Sequence, residues 1–393
     1  MAPTEFDQQI QREQTGAVKF DARQAVFGRP DVIPLWVADM DFAAPTAITE
    51  ALVARAQHPV YGYTLFPDSL YQAMIDWFAQ RHHWTIEREW ILMAPGVVPS
   101  LHAAAVAFTE PGAAVVIQPP VYPPFYAAAD KTGRRVVENP LRSVQGRYEF
   151  DLDHLKACAE AGAKLLLLCS PHNPVGRVWR PEELDAVLAI ARQHDMVVLS
   201  DEIHADLVYP DSHAHTMLAR RPGAAEVVVT AVAPSKSFNI PGLGLSALVV
   251  PSRRHREALR RALDSMHMVH CNPFSATAFE AGYRHGGPWL DQLLSYLQGN
   301  RDWACQYLAE RLPQLGAETP EGTYLLWLDC RRLGLTDAEL KRFFVHQASI
   351  GLNPGLSFGA AGSGFMRLNL GAPRGVLEAA LSNLAEAVAQ LPQ

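Results

Sequence analysis

No apolar run in this chain approaches the ~18 residues needed to cross a bilayer. The longest, Leu165 to Cys169 and Val227 to Ala233, have the length of buried strands. The opening stretch MAPTEFDQQIQREQ has no apolar core of the kind a secretory leader carries. Cysteine is sparse: five residues, Cys158, Cys169, Cys271, Cys305 and Cys330, with no CxxC pair. A scattered, odd set in a long chain argues against a disulfide framework and for reduced thiols, so a cytoplasmic location is expected. Positive charge is also in deficit, with a net charge of -7. That removes the general electrostatic footprint of a nucleic-acid binder, and neither nucleic acid nor membrane is expected as a partner.

Several motifs are missing as well. There is no GxxxxGK[ST] phosphate loop, no HExxH metal helix and no internal repeat. Gly242-Leu243-Gly244-Leu245-Ser246-Ala247 satisfies GxGxxA, but it leads into the strand-like ALVVP where a dinucleotide fingerprint opens a helix. His204, Asp206, His213 and His215 cluster in HADLVYPDSHAH without metal-ligand spacing. His213 and His215 read as solvated loop residues, and no metal is expected.

What is present is strand and helix alternation. Val115 to Gln118, Lys164 to Cys169, Met196 to Ser200, Val227 to Val232 and Leu245 to Val250 have strand character. Between the second and third lies PEELDAVLAIARQHD, with Pro181 and two glutamates in its first turn and an apolar stripe of Leu184, Val187, Leu188 and Ala191. This pattern predicts an α/β fold with a mainly parallel sheet. Helical patterns near Trp289 to Leu312, Asp337 to Gln347 and from Gly375 onward flank a strand-like Thr323 to Asp329, which predicts a smaller α+β domain. The expected division is an N-terminal segment 1–50 packing with the small domain, a large domain 51–285 and the small domain 286–393.

In open α/β sheets, ligands collect beyond the carboxyl ends of strands. Three loops there carry polar groups: Pro171-His172-Asn173-Pro174 after KLLLLCS, Asp201-Glu202-Ile203-His204 after MVVLS, and Pro234-Ser235-Lys236-Ser237 after VVVTAV. A pyridoxal 5'-phosphate (PLP) site needs residues of these types. A lysine amine forms an imine with the aldehyde, a carboxylate keeps the ring nitrogen protonated, and donors serve the phenolic oxygen. Amides at a helix start suit the phosphate. Lys236, Asp201, Asn173 and His204 can supply the first three roles. Tyr122 can stack on the ring, and Gly96 with the amides of Val97 and Val98 precedes the apolar helix LHAAAVAF. Singly, each residue has an ordinary reading as surface lysine, helix cap or turn; the weight rests on their order and strand-end placement.

The ordered set of Asn173 in SPHNPVGRVW, Asp201 in SDEIHADL, Lys236 in APSKSFNIPGL and Arg367 in GFMRLNLG resembles the fold-type I, class I/II aminotransferase superfamily. With PLWVADMDFAAP and GYTLFPDSLYQAMIDW, the chain is similar, over nearly its whole length, to the MalY/PatB group of cystathionine β-lyase-like C–S lyases. The resemblance implies that Lys236 carries PLP and moves the substrate's α proton, Asp201 pairs with the ring nitrogen, and Asn173 and His204 serve the phenolic oxygen. It implies Tyr122 on the ring, Arg367 on the substrate α-carboxylate and a homodimer in which Tyr63 reaches the neighbouring subunit's phosphate. Many aminotransferases place a phosphate-binding arginine eight residues after the lysine; here that residue is Gly244, which leaves more to Val97, Val98, Ser235 and Tyr63. The expected reaction is β-elimination from cystathionine or cysteine S-conjugates. An aminotransferase is the alternative, and a non-enzymatic regulator on the same fold a third.

Overall fold

The computed structural model describes residues 4–268 and 270–391. Its centre is a seven-stranded sheet. In chain order the strands are β1 (Ile91–Ala94), β2 (Ala114–Ile117), β3 (Arg135–Glu138), β4 (Leu165–Cys169), β5 (Val197–Asp201), β6 (Val228–Val232) and β7 (Ser246–Val249). They lie in the order β1-β7-β6-β5-β4-β2-β3. The pairs from β3 to β6 are parallel, and β7 runs antiparallel to both β6 and β1.

Period-two alternation decides which side chains go where. Leu165, Leu167 and Cys169 of β4 join a core with helix α1 (Val97–Phe108), while Leu166 and Leu168 join the opposite core with helix α2 (Pro181–Gln193). Because both faces are covered, these strands read as continuous apolar runs. The expected central strands and the Pro181 helix occur within a residue or two of their predicted ends. The edge strand β1 was not anticipated. Its four residues, ILMA, are too short a run to stand out, and they become a strand by pairing with β7.

The C-terminal part contains helix α3 (Gly287–Arg311) and a four-stranded sheet of β8 (Gly316–Ala317), β9 (Leu325–Asp329), β10 (Asn353–Pro354) and β11 (Phe365–Asn369), in the order β8-β9-β11-β10. The chain closes with helix α4 (Arg374–Ala389). The helix expected over Asp337 to Gln347 is α-helical to Arg342 and then widens into a π turn at Phe343–Gln347. The N-terminal segment serves both regions. Ile33 pairs with Ile350 in a short parallel ladder, while the buried Phe6 packs edge-on against Phe42 and Trp289.

His213 and His215 depart from the sequence reading. The His215 side chain is buried against the Glu202 carboxylate at 2.7 Å, and His213 Nε2 lies 2.8 Å from the Val178 carbonyl. The polar, glycine-free run around them looked solvated, but it folds back against β5's exit loop, where the buried Glu202 needs a partner.

Candidate active site

The carboxyl ends of β4, β5 and β6 open onto a cavity of about 290 Å³. It is lined by Gly96, Val97, Val98, Tyr122, Asn173, Asp201, His204, Ser235 and Lys236, so nine of the sequence candidates converge on one space. Tyr122 and Lys236 also line an adjoining cavity of about 870 Å³, whose walls include Arg367, Asn353, Trp36, Asp39 and Arg12. Tyr63 lies apart from both. It is fully exposed, beside the exposed Tyr61 and Leu65.

Local chemistry positions each group. Asn173 sits in a tight loop closed by the Gly176 N–H donating to the His172 carbonyl at 2.8 Å. Gly176 has φ 71°, and a Cβ there would come within 2.4 Å of the Pro320 side chain. Only glycine permits both the left-handed turn and this approach. The Asn173 Oδ1 accepts from Arg367 Nη1 at 3.0 Å, which leaves its Nδ2 amide as a free donor toward the cavity.

Asp201 ends β5 and is 5% exposed. Its carboxylate accepts from the Ile203 N–H at 3.2 Å. Burial pushes its pKa up to about 7; Glu202 adds to the rise, while the Ile203 N–H and Lys236 oppose it. His204 is buried, with its Nδ1 unpartnered. Burial, then the charges of Lys236 and Arg367, lower its pKa to about 3, so the imidazole is neutral.

Lys236 lies in a single helical turn, Pro234–Ser237, directly after β6. Its side chain faces the cavities but sits deep below the molecular surface, and this desolvation lowers its pKa to about 8. Arg367 adds to the lowering, and Asp39 and Asp201 oppose it. The amine donates to the Ala38 carbonyl.

Arg367 comes from β11 and is 4% exposed. Its Nη2 donates to the Trp36 carbonyl at 2.9 Å and to Asn353 Oδ1 at 2.7 Å, and it lies over the Phe358 ring at 4.9 Å. None of these partners is charged, and among the described residues its Nε is buried without one. Burial lowers its pKa to about 10, which leaves it cationic at neutral pH. A buried, unbalanced guanidinium is costly alone and is well suited to an incoming carboxylate.

These residues fit PLP on structural grounds. Asp201 is a buried carboxyl that lacks a strong cationic partner and would gain one in a protonated ring nitrogen. Helix α1 starts at Val97 without a side-chain cap, so its first N–H groups are free to hold a phosphate. Gly244 borders the same cavity, where a Cβ would come within 3.1 Å of the Pro95 carbonyl. An arginine cannot enter there without moving that loop. Sequence reasoning missed Cys169, which lines the cavity, and Ala38, whose contribution is a backbone oxygen. A backbone acceptor has no residue-type signal.

Known proteins resemble this chain along nearly its whole length. The profile of the aminotransferase class I and II family matches residues 30–384. Cystathionine beta-lyase PatB of Bacillus subtilis is 42% identical over 385 residues, covering 98% of this chain and 99% of the relative. Protein MalY of Escherichia coli is 33% identical over 387 residues, 98% of each. The structure of cystalysin from Treponema denticola, which contains pyridoxal 5'-phosphate, superposes with a TM-score of 0.95 at 34% identity, covering 98% of this chain and 99% of that one. The chain belongs to the PLP-dependent class I and II aminotransferase family, in the fold-type I architecture.

Proposed function

We propose that this protein is a PLP-dependent carbon–sulfur lyase. It eliminates a thiol from L-cystathionine or a cysteine S-conjugate and yields pyruvate and ammonia. The observation that carries the reading is full-length similarity to PatB, a cystathionine beta-lyase, supported by the convergence of Lys236, Asp201, Asn173 and His204 on one cavity.

The cofactor, when bound, supplies an electron sink for the charge left at the substrate's α carbon. The protein's own residues do the rest. Arg367 binds the α-carboxylate through a two-pronged contact and so fixes which face of the amino acid meets Lys236. Lys236, whose ammonium is made more acidic by burial so that neutral amine is available closer to neutral pH, takes the α proton at Nζ. Asp201 would hold the positive ring nitrogen, and Asn173 Nδ2 with neutral His204 would serve the phenolic oxygen. Val97, Val98 and Ser235 would hold the phosphate, and Tyr122 would cover the ring. The electron pair left at Cα becomes the Cα=Cβ bond as the Cβ–S bond breaks with its pair on sulfur; the thiolate takes up a proton, and 2-aminoacrylate with water gives pyruvate and ammonia. The roughly 870 Å³ space beyond Lys236 accommodates a bulky leaving group.

The same lysine, aspartate and arginine serve transamination, so similarity to the lyases decides between the two. A homodimer forms part of this reading: Tyr63, Tyr61 and Leu65 make an exposed apolar stretch, and Tyr63 of a second copy would complete the phosphate site. The free cysteines accord with a reducing cytoplasm. The test is to incubate purified protein with L-cystathionine and assay thiol and pyruvate with and without a keto acid. Thiol release independent of the keto acid is expected. Turnover only with keto acid, without thiol, would make it an aminotransferase.

A further inference from the structure

The contact between Lys236 and Ala38 involves a second side chain with no role so far. Tyr324, 1% exposed, directly precedes β9, and its hydroxyl donates to the Ala38 carbonyl at 2.7 Å. This is the same oxygen that accepts from the Lys236 amine. A carbonyl oxygen has two lone pairs, and here both are taken. The lysine comes from the large sheet's exit loop, the tyrosine from the residue just before the small sheet's β9 and the carbonyl from the N-terminal segment.

The surroundings hold this arrangement in place. Thr323, just before Tyr324, has φ 68°, the left-handed region that a β-branched residue rarely adopts. Its N–H donates to the Leu207 carbonyl at 2.7 Å, and its Oγ1 accepts from the Leu325 N–H at 3.2 Å. A conformation of this cost persists only where neighbouring bonds enforce it. On the other side, Asn369 Nδ2 donates to the carbonyls of Val37 and Asp39, at 2.7 Å each, so the residues on either side of Ala38 are anchored. The Tyr324 ring stands edge-on to His204, with centroids 5.9 Å apart. A buried tyrosine hydroxyl gains from an acceptor, and any carbonyl could supply one. This one chooses the oxygen that holds the catalytic amine.

We infer that Tyr324 is a positioning residue for Lys236. Its hydroxyl fixes the direction of the Ala38 carbonyl, and that carbonyl holds the free amine where it takes the α proton. The inference rests on the PLP reading of the site but not on the fate of the β substituent. Arg367, Asp39, Asp201 and His204 also face the amine, so the test must isolate the hydroxyl.

Tyr324→Phe does so. In the cofactor-free protein, the pH midpoint for modification of Lys236 by an amine reagent should move upward, because no O–H dipole competes for the Ala38 oxygen. In the loaded enzyme, exchange of the α proton of L-alanine with solvent deuterium should fall roughly 10- to 100-fold, the scale of a misplaced catalytic group. Thiol release from cystathionine should fall by the same factor with KM unchanged. Tyr209→Phe is the control, since that hydroxyl is buried without a partner; it should leave all three readings as they were. Unchanged midpoint and exchange in Tyr324→Phe would overturn the inference, as would lost elimination with intact alanine exchange. If the native enzyme exchanges alanine but releases no thiol, the lyase reading fails while the Tyr324 test stands.

Discussion

Asp201 should stabilise the cofactor's chemistry at the expense of the empty protein. Its carboxyl titrates at 3.8 in an unfolded chain and near 7 in the folded, cofactor-free site. Between those values the folded state binds a proton that the unfolded state has lost, so folding stability falls as pH rises through this window. At about 1.36 kcal/mol per pH unit, the interval from 3.8 to about 7 costs roughly 4 kcal/mol above pH 7. Asp201→Asn removes the titration. The cofactor-free variant should therefore gain on the native protein between pH 5 and pH 8. About 2.7 kcal/mol of this falls between pH 5 and pH 7, which an unfolding entropy of about 2.1 cal/mol/K per residue over 393 residues converts into a Tm difference of roughly 3 °C. The assay is thermal unfolding of both apoproteins at equal concentration across that range. Comparing the two pH values cancels any fixed cost of the amide's own hydrogen bonds. A variant whose Tm tracks the native protein at both pH values would refute the reasoning. The loaded variant should lose most of its lyase activity, since no carboxylate then holds the ring nitrogen.

Three further outcomes are expected. Arg367→Lys should retain cofactor, measured by visible absorption, but lose about 2 to 3 kcal/mol of substrate binding in kcat/KM, because an ammonium cannot make the two-pronged contact. Asp206→Ala should lower stability in urea unfolding by roughly 3–5 kcal/mol: the buried carboxylate accepts from Trp77 Nε1 at 3.1 Å, His82 Nε2 at 2.7 Å and Ser237 Oγ at 2.5 Å. Tyr63→Phe should weaken PLP retention on dialysis and leave the subunit's fold unchanged by circular dichroism, since the residue touches no core.

Much of this site was legible because its parts sit where strands end. Asn173, Asp201 and Lys236 each follow an apolar run, and such runs are the strongest signal a buried parallel sheet leaves in sequence. The β1 edge was not legible, since ILMA gains strand character only from its partner β7. Arg367 was identified by resemblance alone; nothing in its own strand announces a guanidinium buried without a counter-charge. Ala38 and Tyr324 were illegible for another reason. One acts through its backbone, and the other lies at the head of a strand-like run with nothing local to set it apart. Both meet Lys236 only after residues far apart in the chain are brought together. His215 was misjudged because a polar loop is solvated by default, and nothing local reveals that Glu202 is buried beneath it.

Helix α3 begins at the expected start of the small domain, yet it belongs to two cores. Leu290, Leu293, Leu294 and Leu297 pack into the core that contains β1 and β7, whereas Ala304 and Leu308 pack with β9, β11 and α4. Its 25 residues make a rod of about 37 Å at roughly 1.5 Å per residue. A protein severed near residue 285 would lose a whole wall of its larger half. The two halves therefore cannot be expressed separately or swapped between relatives as independent modules, and heating should melt them in one transition.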